Sequence, residues 1–126
     1  MSKTHALGTV QLAIMRVLWE MGEATVTQVH KVMHEQRGLA PTTVATMLTK
    51  MEKRGVVTHR SEGRKYIYSP TVSEGEVKQS MVADLKDKLF EGNVAALVSH
   101  LIAEHEVDPN ELERLKALID QKEKER

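Results

Sequence analysis

The strongest candidate binding residues of this sequence are the threonines and lysines between positions 42 and 53. If the segment is helical, the spacings 42, 46, 49, 53 and 43, 46, 50 place their side chains on one side of the helix. A threonine hydroxyl can donate or accept a hydrogen bond, its methyl group can contact the methyl of thymine, and a lysine can neutralise a phosphate. The pattern therefore favours a helix that enters the major groove of DNA.

The start of this helix face and the residues farther along it are expected to have different roles in DNA binding. The first residues of a recognition helix enter the groove deepest, so the predicted base-reading residues are Thr42, Thr43 and Thr46. Eight residues, in the helices or in a basic hairpin, are predicted to contact phosphates: Thr25, Thr49, Lys50, Lys53, Arg54, Arg60, Arg64 and Lys65. Taken alone, the helix pattern fits a merely solvated face as well. The hairpin favours DNA, because its three cations surround a turn that holds one acid, Glu62.

Three apolar stripes at helical spacing predict the helices that position these side chains. Their members are Val10, Ile14, Val17, Leu18 and Met21 in the first, Val29, Val32 and Met33 in the second, and Val44, Met47, Leu48 and Met51 in the third. A glycine follows each stripe where the helix should end, at Gly22, Gly38 and Gly55. Thr25 and Gln28 form a capping box, and Pro41 suits a first helical turn. Trp19 should lie at the edge of the core.

The period of the sequence changes after position 55. Two β-branched or aromatic runs, 56–60 and 65–69, flank a turn at 61–64, and Pro70 ends the second run. These runs predict a β-hairpin beside the third helix. Three helices followed by a wing of two or three strands form a winged helix-turn-helix. The predicted fold class is therefore mainly α, with a winged helix DNA-binding domain over residues 1–72.

The remaining residues, 73–126, are predicted to form a helical dimerisation domain of three helices. Helix start and stop signals occur at Ser73 with Glu76, at Gly92-Asn93 and at Asp108-Pro109-Asn110-Glu111. The polar end, 121–126, should fray. Three short apolar stripes cannot all be buried within about 50 residues, so a second copy of the chain should cover them. The predicted dimer contacts are Val77, Met81, Leu85, Leu89, Leu97, Leu101, Leu112, Leu115, Leu118 and Ile119.

The net charge of zero over 126 residues conceals an uneven distribution of charge. Residues 1–72 hold ten lysines and arginines against five acids, a difference of +5. Residues 73–126 hold eight against thirteen, a difference of −5. A basic first half agrees with a nucleic acid as its partner.

Composition and motifs exclude several classes of function. The chain has no cysteine, which excludes disulfides, cysteine-zinc sites and thiol nucleophiles. It has no nucleophile elbow, no phosphate-binding glycine loop and no H-E-x-x-H motif, so an enzyme is not expected. The first 15 residues lack the pattern of a signal peptide, and no apolar run approaches the length of a membrane span. We therefore expect a cytoplasmic protein that does not insert into membranes.

Histidines supply the main alternative function, a metal-responsive regulator. His30 and His34 lie four residues apart, a spacing with which a helix can bind a metal, and Glu35 follows. His100, Glu104 and His105 repeat the pattern. Because no third ligand at a fixed spacing is evident, exposed polar positions are favoured over a metal site, and no cofactor is predicted. A non-DNA interaction module built on the same fold is the remaining alternative.

Several motifs in a shared order resemble those of the BlaI/MecI/CopY family of bacterial repressors. As in that family, the first helix ends in a Leu-Trp pair, the third begins Thr-Val and ends Lys-x-Gly, and the wing closes as Tyr-x-Tyr-x-Pro. Here these motifs are Leu18-Trp19, Thr43-Val44, Lys53-Arg54-Gly55 and Tyr66 to Pro70. The resemblance covers essentially the whole chain. It implies a repressor of transcription that binds a palindromic DNA operator as a homodimer.

The resemblance also bears on how such a repressor is released from DNA. In the β-lactam branch, a membrane-bound sensor metalloprotease leads to cleavage in the dimerisation region, which implies a sensor protease as an indirect partner. The corresponding bond here is His100-Leu101, where family members carry Asn-Phe. In the copper branch, a cysteine-rich C-terminal motif is present, whereas this chain has no cysteine. Gly8 stands where the family usually has Ser or Thr to cap the first helix.

Overall fold

The computed structural model describes residues 6–126. The first five residues, which belong to the segment predicted to carry no signal peptide, lie outside the described residues. The elements in chain order are α1 (Thr9–Met21), β1 (Ala24–Thr25), α2 (Val26–Arg37), α3 (Pro41–Lys53), β2 (Val57–Glu62), β3 (Lys65–Pro70), α4 (Glu74–Phe90), α5 (Val94–Glu104) and α6 (Pro109–Lys124). This arrangement confirms the predicted fold class, a winged helix-turn-helix followed by further helices.

Local hydrogen bonds fix the starts of the helices that carry the candidate site. The Thr25 hydroxyl accepts a bond from the Gln28 backbone N–H at 3.1 Å, and the Gln28 side chain accepts one from the Thr25 N–H at 2.8 Å. This reciprocal pair is the predicted capping box. Pro41 occupies the first turn of α3, where its missing N–H costs no helical bond. Gly38 ends α2 in the left-handed region at φ 66°, which a side chain would oppose.

The wing is part of a three-stranded antiparallel sheet with the strand order β1-β3-β2. Glu62 pairs with Lys65, so the connecting loop is the two-residue segment Gly63-Arg64. The predicted turn at 61–64 is therefore too long by two residues, because Ser61 and Glu62 belong to β2 and pair with β3. Gly63 has φ 62°, which suits the first position of a two-residue hairpin loop. The short strand β1 adds a third strand to the sheet by pairing with Tyr68 and Ile67 of β3.

One apolar core joins α1, α2, α3, the sheet and the first turns of α4. Its buried residues are Leu7, Ala13, Ile14, Met15, Val17, Leu18, Ala24, Val29, Met33, Val44, Leu48, Met51, Val56, Val57, Tyr68, Val72 and Val77. Trp19 lies at the core edge as predicted, and its indole N–H donates to the Val72 carbonyl at 2.9 Å. The prediction for Met21 is wrong: 46% of this residue is exposed. It is the last residue of α1 and lines a surface depression with Val17 and Val32.

The chain divides into two compact units, one ending at Asp84 and the other comprising Leu85–Arg126. This division falls inside α4, later than the boundary predicted after residue 72. The reason is that Val77 is buried in the core of its own chain and Met81 packs against that core. Both residues were predicted at a dimer interface, so the structure places them differently. We hereafter call the two parts the wing unit and the C-terminal unit.

The helices of the C-terminal unit begin at the predicted signals. Asn93 caps α5 by accepting a bond from the Ala96 N–H at 2.9 Å, and Asp108 caps α6 by accepting one from the Glu111 N–H at 2.9 Å. The predicted fraying from residue 121 is wrong, since α6 continues to Lys124. Lys122 and Lys124 favour this last turn because cations stabilise a helix C-terminus. Within residues 6–126, no helix is long and apolar enough to cross a membrane.

Candidate nucleic-acid interface

Helix α3 presents opposite chemistry on its two faces. Val44, Leu48 and Met51 are fully buried, and Met47 is partly buried against the same core. Thr42, Thr43, Thr46, Thr49, Lys50 and Lys53 are exposed. The orientation expected for α3, with apolar side chains inward and hydroxyls and ammonium groups outward, is confirmed.

The predicted base-reading residues share one open depression on this outer face. Thr42, Thr43, Thr46 and Lys50 line it together with Met47. No side chain caps the N-terminus of α3, whose N-cap residue is Ala40. A surface of this kind offers three hydroxyls, their methyl groups and one cation within two helical turns, which matches the edges of bases and a flanking phosphate.

The residues farther along α3 differ in the hydrogen bonds and ion pairs that they form within the protein. Among the described residues, neither Lys50 nor Lys53 forms an ion pair. The Thr49 hydroxyl donates to the Ala45 carbonyl at 3.0 Å within the same helix. The Arg54 guanidinium donates to the Gln11 side chain at 3.1 Å and also to the Ala6 carbonyl. Arg54 therefore holds the segment before α1, a contact that its place in the sequence does not indicate.

A second depression lies where the wing meets the start of α2. Thr25, Val26 and Thr27 line it from the helix side, and Arg64, Lys65 and Tyr66 line it from the hairpin. Within residues 6–126, Arg64 and Lys65 form no ion pair. Two free cations beside the first N–H groups of a helix suit a phosphate. The Thr25 hydroxyl oxygen accepts the capping bond at the start of α2, so its proton can still be donated to a ligand.

The third wing cation, Arg60, is paired with acids. Its guanidinium donates to both carboxylate oxygens of Glu23, at 2.5 and 3.1 Å, and to Glu62 at 3.1 Å. The bond from Arg60 lowers the pKa of the Glu23 carboxyl below its ordinary value, and the bond to Glu23 raises the pKa of Arg60. Three wing cations were predicted from the sequence, and in the structure two of them are free.

A polar cluster connects α3 to the wing. His59 of β2 lies 2.6 Å from the Glu52 carboxylate of α3, and its ring stacks on Tyr66 at a centroid distance of 4.4 Å. The ring of Tyr68 lies 5.2 Å away on the same face. Burial raises the pKa of Tyr68, the nearby Glu52 and Tyr66 raise it further, and the Thr49 hydroxyl opposes the shift. These contacts hold the hairpin in a fixed position beside the reading helix.

Sequence reasoning missed Glu23, Glu52 and His59. Glu23 and Arg60 are 37 positions apart, Glu52 and His59 are seven positions apart in different elements, and no spacing rule connects either pair. Alternation along β2 places His59 and Arg60 on opposite faces of the sheet, which is the one available sequence signal. It indicates that the two side chains have different surroundings but does not identify their partners.

The histidines proposed as an alternative metal site lie in two places. The rings of His30 and His34 are 5.5 Å apart, and Nε2 of His30 is buried without a hydrogen-bond partner. His100 lies 6.2 Å from His105 and 5.8 Å from Phe90. Across residues 6–126, no three potential metal ligands of the types His, Cys, Asp and Glu come together. The bond from His100 to Leu101 lies inside α5, and both residues are exposed.

Comparisons with known proteins agree with this geometry. A family model described as penicillinase repressor matches residues 7–121. The methicillin resistance regulatory protein MecI of Mammaliicoccus sciuri is 21% identical over 121 residues, which are 96% of this chain and 98% of that protein. The penicillinase repressor of Bacillus licheniformis is 22% identical over 121 residues, 96% of this chain and 94% of that protein.

A solved structure is similar to part of this chain. It is the monomeric form of Bacillus licheniformis BlaI in complex with the blaP half-operator, with a TM-score of 0.52 and 29% identity. The similarity covers 60% of this chain and 93% of that chain. The family resemblance stated from the sequence is confirmed. Because the family model spans nearly the whole chain, this protein belongs to the penicillinase repressor family.

Proposed function

We propose that this protein is a transcriptional repressor that binds a palindromic DNA operator as a homodimer. The observation that carries the proposal is the exposed threonine and lysine face of α3, whose opposite face is fixed in the core. The free cations of the wing lie beside the start of α2 and extend the same chemistry to the DNA backbone. The similarity to a repressor solved with half of an operator supports DNA as the ligand.

Each part of the interface has a distinct role in this proposal. Thr42, Thr43 and Thr46 contact base edges in the major groove, because they stand at the start of the reading helix. Lys50 and Lys53 contact phosphates along the groove, with Thr49 beside them. Arg64 and Lys65 contact a phosphate near Thr25. Arg54 and Arg60 contribute through protein contacts in this structure, and Arg54 positions α1 against α3.

Dimerisation is assigned to the C-terminal unit. Seven of its large apolar residues are more than 40% exposed: Leu85, Leu89, Val94, Leu101, Ile102, Leu118 and Ile119. The predicted contacts Leu97, Leu112 and Leu115 are half-buried. Exposed apolar surface of this extent on a chain with few other exposed apolar residues marks an interaction site. A second copy of the same surface is the simplest partner, because closed two-fold symmetry covers both copies at once.

Selection and sequencing of bound DNA fragments tests the proposal. We expect inverted half-sites whose centres lie about one helical turn apart, as two-fold symmetry requires. Replacing Thr46 with Ala should cost on the order of 1 kcal/mol at one base position in each half-site, because it removes one base-edge contact. Replacing Lys50 with Ala should weaken binding to all sequences alike.

Thr9→Ala and Lys122→Ala are the matched controls, since they remove the same side-chain types from exposed positions on α1 and α6. Neither should alter DNA binding. Selection of no DNA at all would contradict the proposal, and a single unpaired site would contradict the dimer. An equal loss on every DNA from Thr46→Ala would contradict its role in reading bases.

A further inference from the structure

Arg60 is the wing cation with the most hydrogen bonds to acids. Glu23 accepts two of these bonds, and Glu62 accepts the third. The side chains of Arg60 and Glu23 are 53% and 50% exposed, so solvent and ions reach both of them. The bidentate contact occupies two N–H groups of the guanidinium, and the carboxylate repels an approaching phosphate. The pair therefore neutralises a cation that an approaching anion could otherwise use.

The strand register places Arg60 on the same face of the sheet as the free cation Lys65. Glu62 and Arg60 are two residues apart on β2 and share one face, and Glu62 is directly opposite Lys65 on β3. In the other direction Arg60 is opposite Ile67, which is itself opposite Thr25 of β1. This face therefore leads from Arg60 to the depression that Lys65 and Thr25 line.

From this juxtaposition we propose that Glu23 sets how many phosphates the wing contacts: it keeps Arg60 from the DNA backbone and so limits the affinity for unrelated sequences. The inference rests on the proposed function. Cations that meet phosphates strengthen binding to every sequence, since phosphates carry no sequence information. Threonines on α3 strengthen binding to the operator alone. Withholding one cation in each subunit therefore weakens binding to unrelated DNA and to the operator by a similar factor, and the threonines alone set the ratio between the two affinities.

A purely mechanical role for Glu23 gives a different expectation. Glu23 precedes β1, and its bond to Arg60 of β2 spans the sheet, so the pair could simply brace the wing. Loss of a brace would loosen the wing and weaken operator binding. It would not add a phosphate contact, and the salt dependence of binding would not become steeper. The number of phosphates contacted is therefore the readout that separates the two roles.

The test uses the full chain and four variants: Glu23→Gln, Glu62→Gln, Arg60→Ala and the double variant Glu23→Gln/Arg60→Ala. Dissociation constants are measured on the selected operator and on an unrelated duplex of equal length, between about 50 and 200 mM salt. If each subunit neutralises about three to five phosphates, log K against log salt for the wild-type dimer has a slope of roughly −5 to −9. Circular dichroism verifies that every variant is folded.

Glu23→Gln should make the slope steeper by about 0.9 for each subunit and tighten binding to the unrelated duplex by roughly tenfold per subunit near 0.1 M salt. Binding to the operator should tighten by a similar factor, so the ratio of operator to unrelated affinity should stay unchanged. Glu62→Gln should have a smaller effect, because Glu62 accepts one bond and leaves the Glu23 contact in place. Arg60→Ala should leave the wild-type slope unchanged. In the double variant the slope should return to the wild-type value.

Two results would overturn the inference while leaving DNA binding intact. A gain that persists in the double variant would mean that removal of negative charge alone is responsible. An unchanged slope with weaker operator binding in Glu23→Gln would mean that the pair is only a brace. A wild-type slope near zero on every duplex would instead overturn the proposed function itself, and the inference with it.

Discussion

The wing unit and the C-terminal unit bury their apolar residues to very different degrees. Every fully or largely buried apolar residue among positions 6–126 belongs to the wing unit, from Leu7 to Val77. Neither α5 nor α6 has a buried residue, although both carry leucines and isoleucines at helical spacing. The wing unit thus forms its core within one chain. The helices α5 and α6 of the C-terminal unit leave apolar side chains exposed.

This difference shows where each part of the function depends on assembly. The positions of the α3 threonines depend on a core within one chain, so one copy can present a reading helix. Under the proposed function, pairing two reading helices on one operator depends on the C-terminal unit. Changing each unit separately tests whether the two units have these different roles.

Two truncations should give the largest effect. A fragment ending at Asp84 retains Val72 and Val77 and should fold as a monomer. A fragment ending at Pro70 loses both buried valines, each worth about 1.5–3 kcal/mol of burial, and should be largely unfolded. Urea unfolding followed by circular dichroism measures the difference. Equal stability of the two fragments would show that α4 does not belong to the core of the wing unit.

A charged substitution in the C-terminal unit should have the next largest effect. Leu118 is 64% exposed in the single chain, and Leu118→Glu would bury a carboxylate in a dimer contact. We expect the dimer to dissociate and the apparent operator affinity to fall by roughly 100-fold, with the fold of the wing unit retained. Sedimentation velocity and operator titration measure both quantities. Lys122→Glu on the same helix is the control, and an undisturbed dimer in Leu118→Glu would place the interface elsewhere.

The smallest expected effect is a loss of stability at alkaline pH that arises from the wing unit. Burial raises the pKa of Tyr68 above its ordinary value of 10.0. A raised pKa in the folded state stabilises the fold fully below pH 10.0, and this contribution is lost as pH rises through the raised value. The free energy of unfolding of the fragment ending at Asp84 should therefore fall more steeply above pH 10.0 than that of its Tyr68→Phe variant. Tyr66→Phe should retain most of this fall, because Tyr66 is a smaller cause of the Tyr68 shift than burial is, and identical pH profiles for all three proteins would contradict the assignment.

Local signals made most of the fold predictable from the sequence. Each capping residue that was named, including Thr25 and Asp108, forms the expected bond to a neighbour three residues away. The inward face of α3 follows from helical spacing alone. The boundary between units was less predictable, because the stripe of Val77 and Met81 continues into Leu85 and Leu89 without a change of pattern. Only packing shows that the first two residues belong to the core.

Long-range pairing explains what the sequence could not indicate about the site. The three wing cations are equivalent in the sequence, yet Arg60 is paired with Glu23, 37 positions away, while Arg64 and Lys65 form no ion pair with any described residue. Arg54 likewise donates a hydrogen bond to Gln11, 43 positions away. The residue types on the interface were thus predictable, whereas the number of cations available to DNA required the structure.

Hydroxyl-radical footprinting of the full chain on its selected DNA tests most directly the claim that two reading helices, joined by the C-terminal units, bind one operator. We expect two inverted patches of protection centred about one helical turn apart, which appear together as protein is added. The fragment ending at Asp84 should protect the same positions only at much higher concentration, and protection of one patch should not depend on the other. A single patch from the full chain, or equal protection by the fragment at the same concentration, would contradict the account.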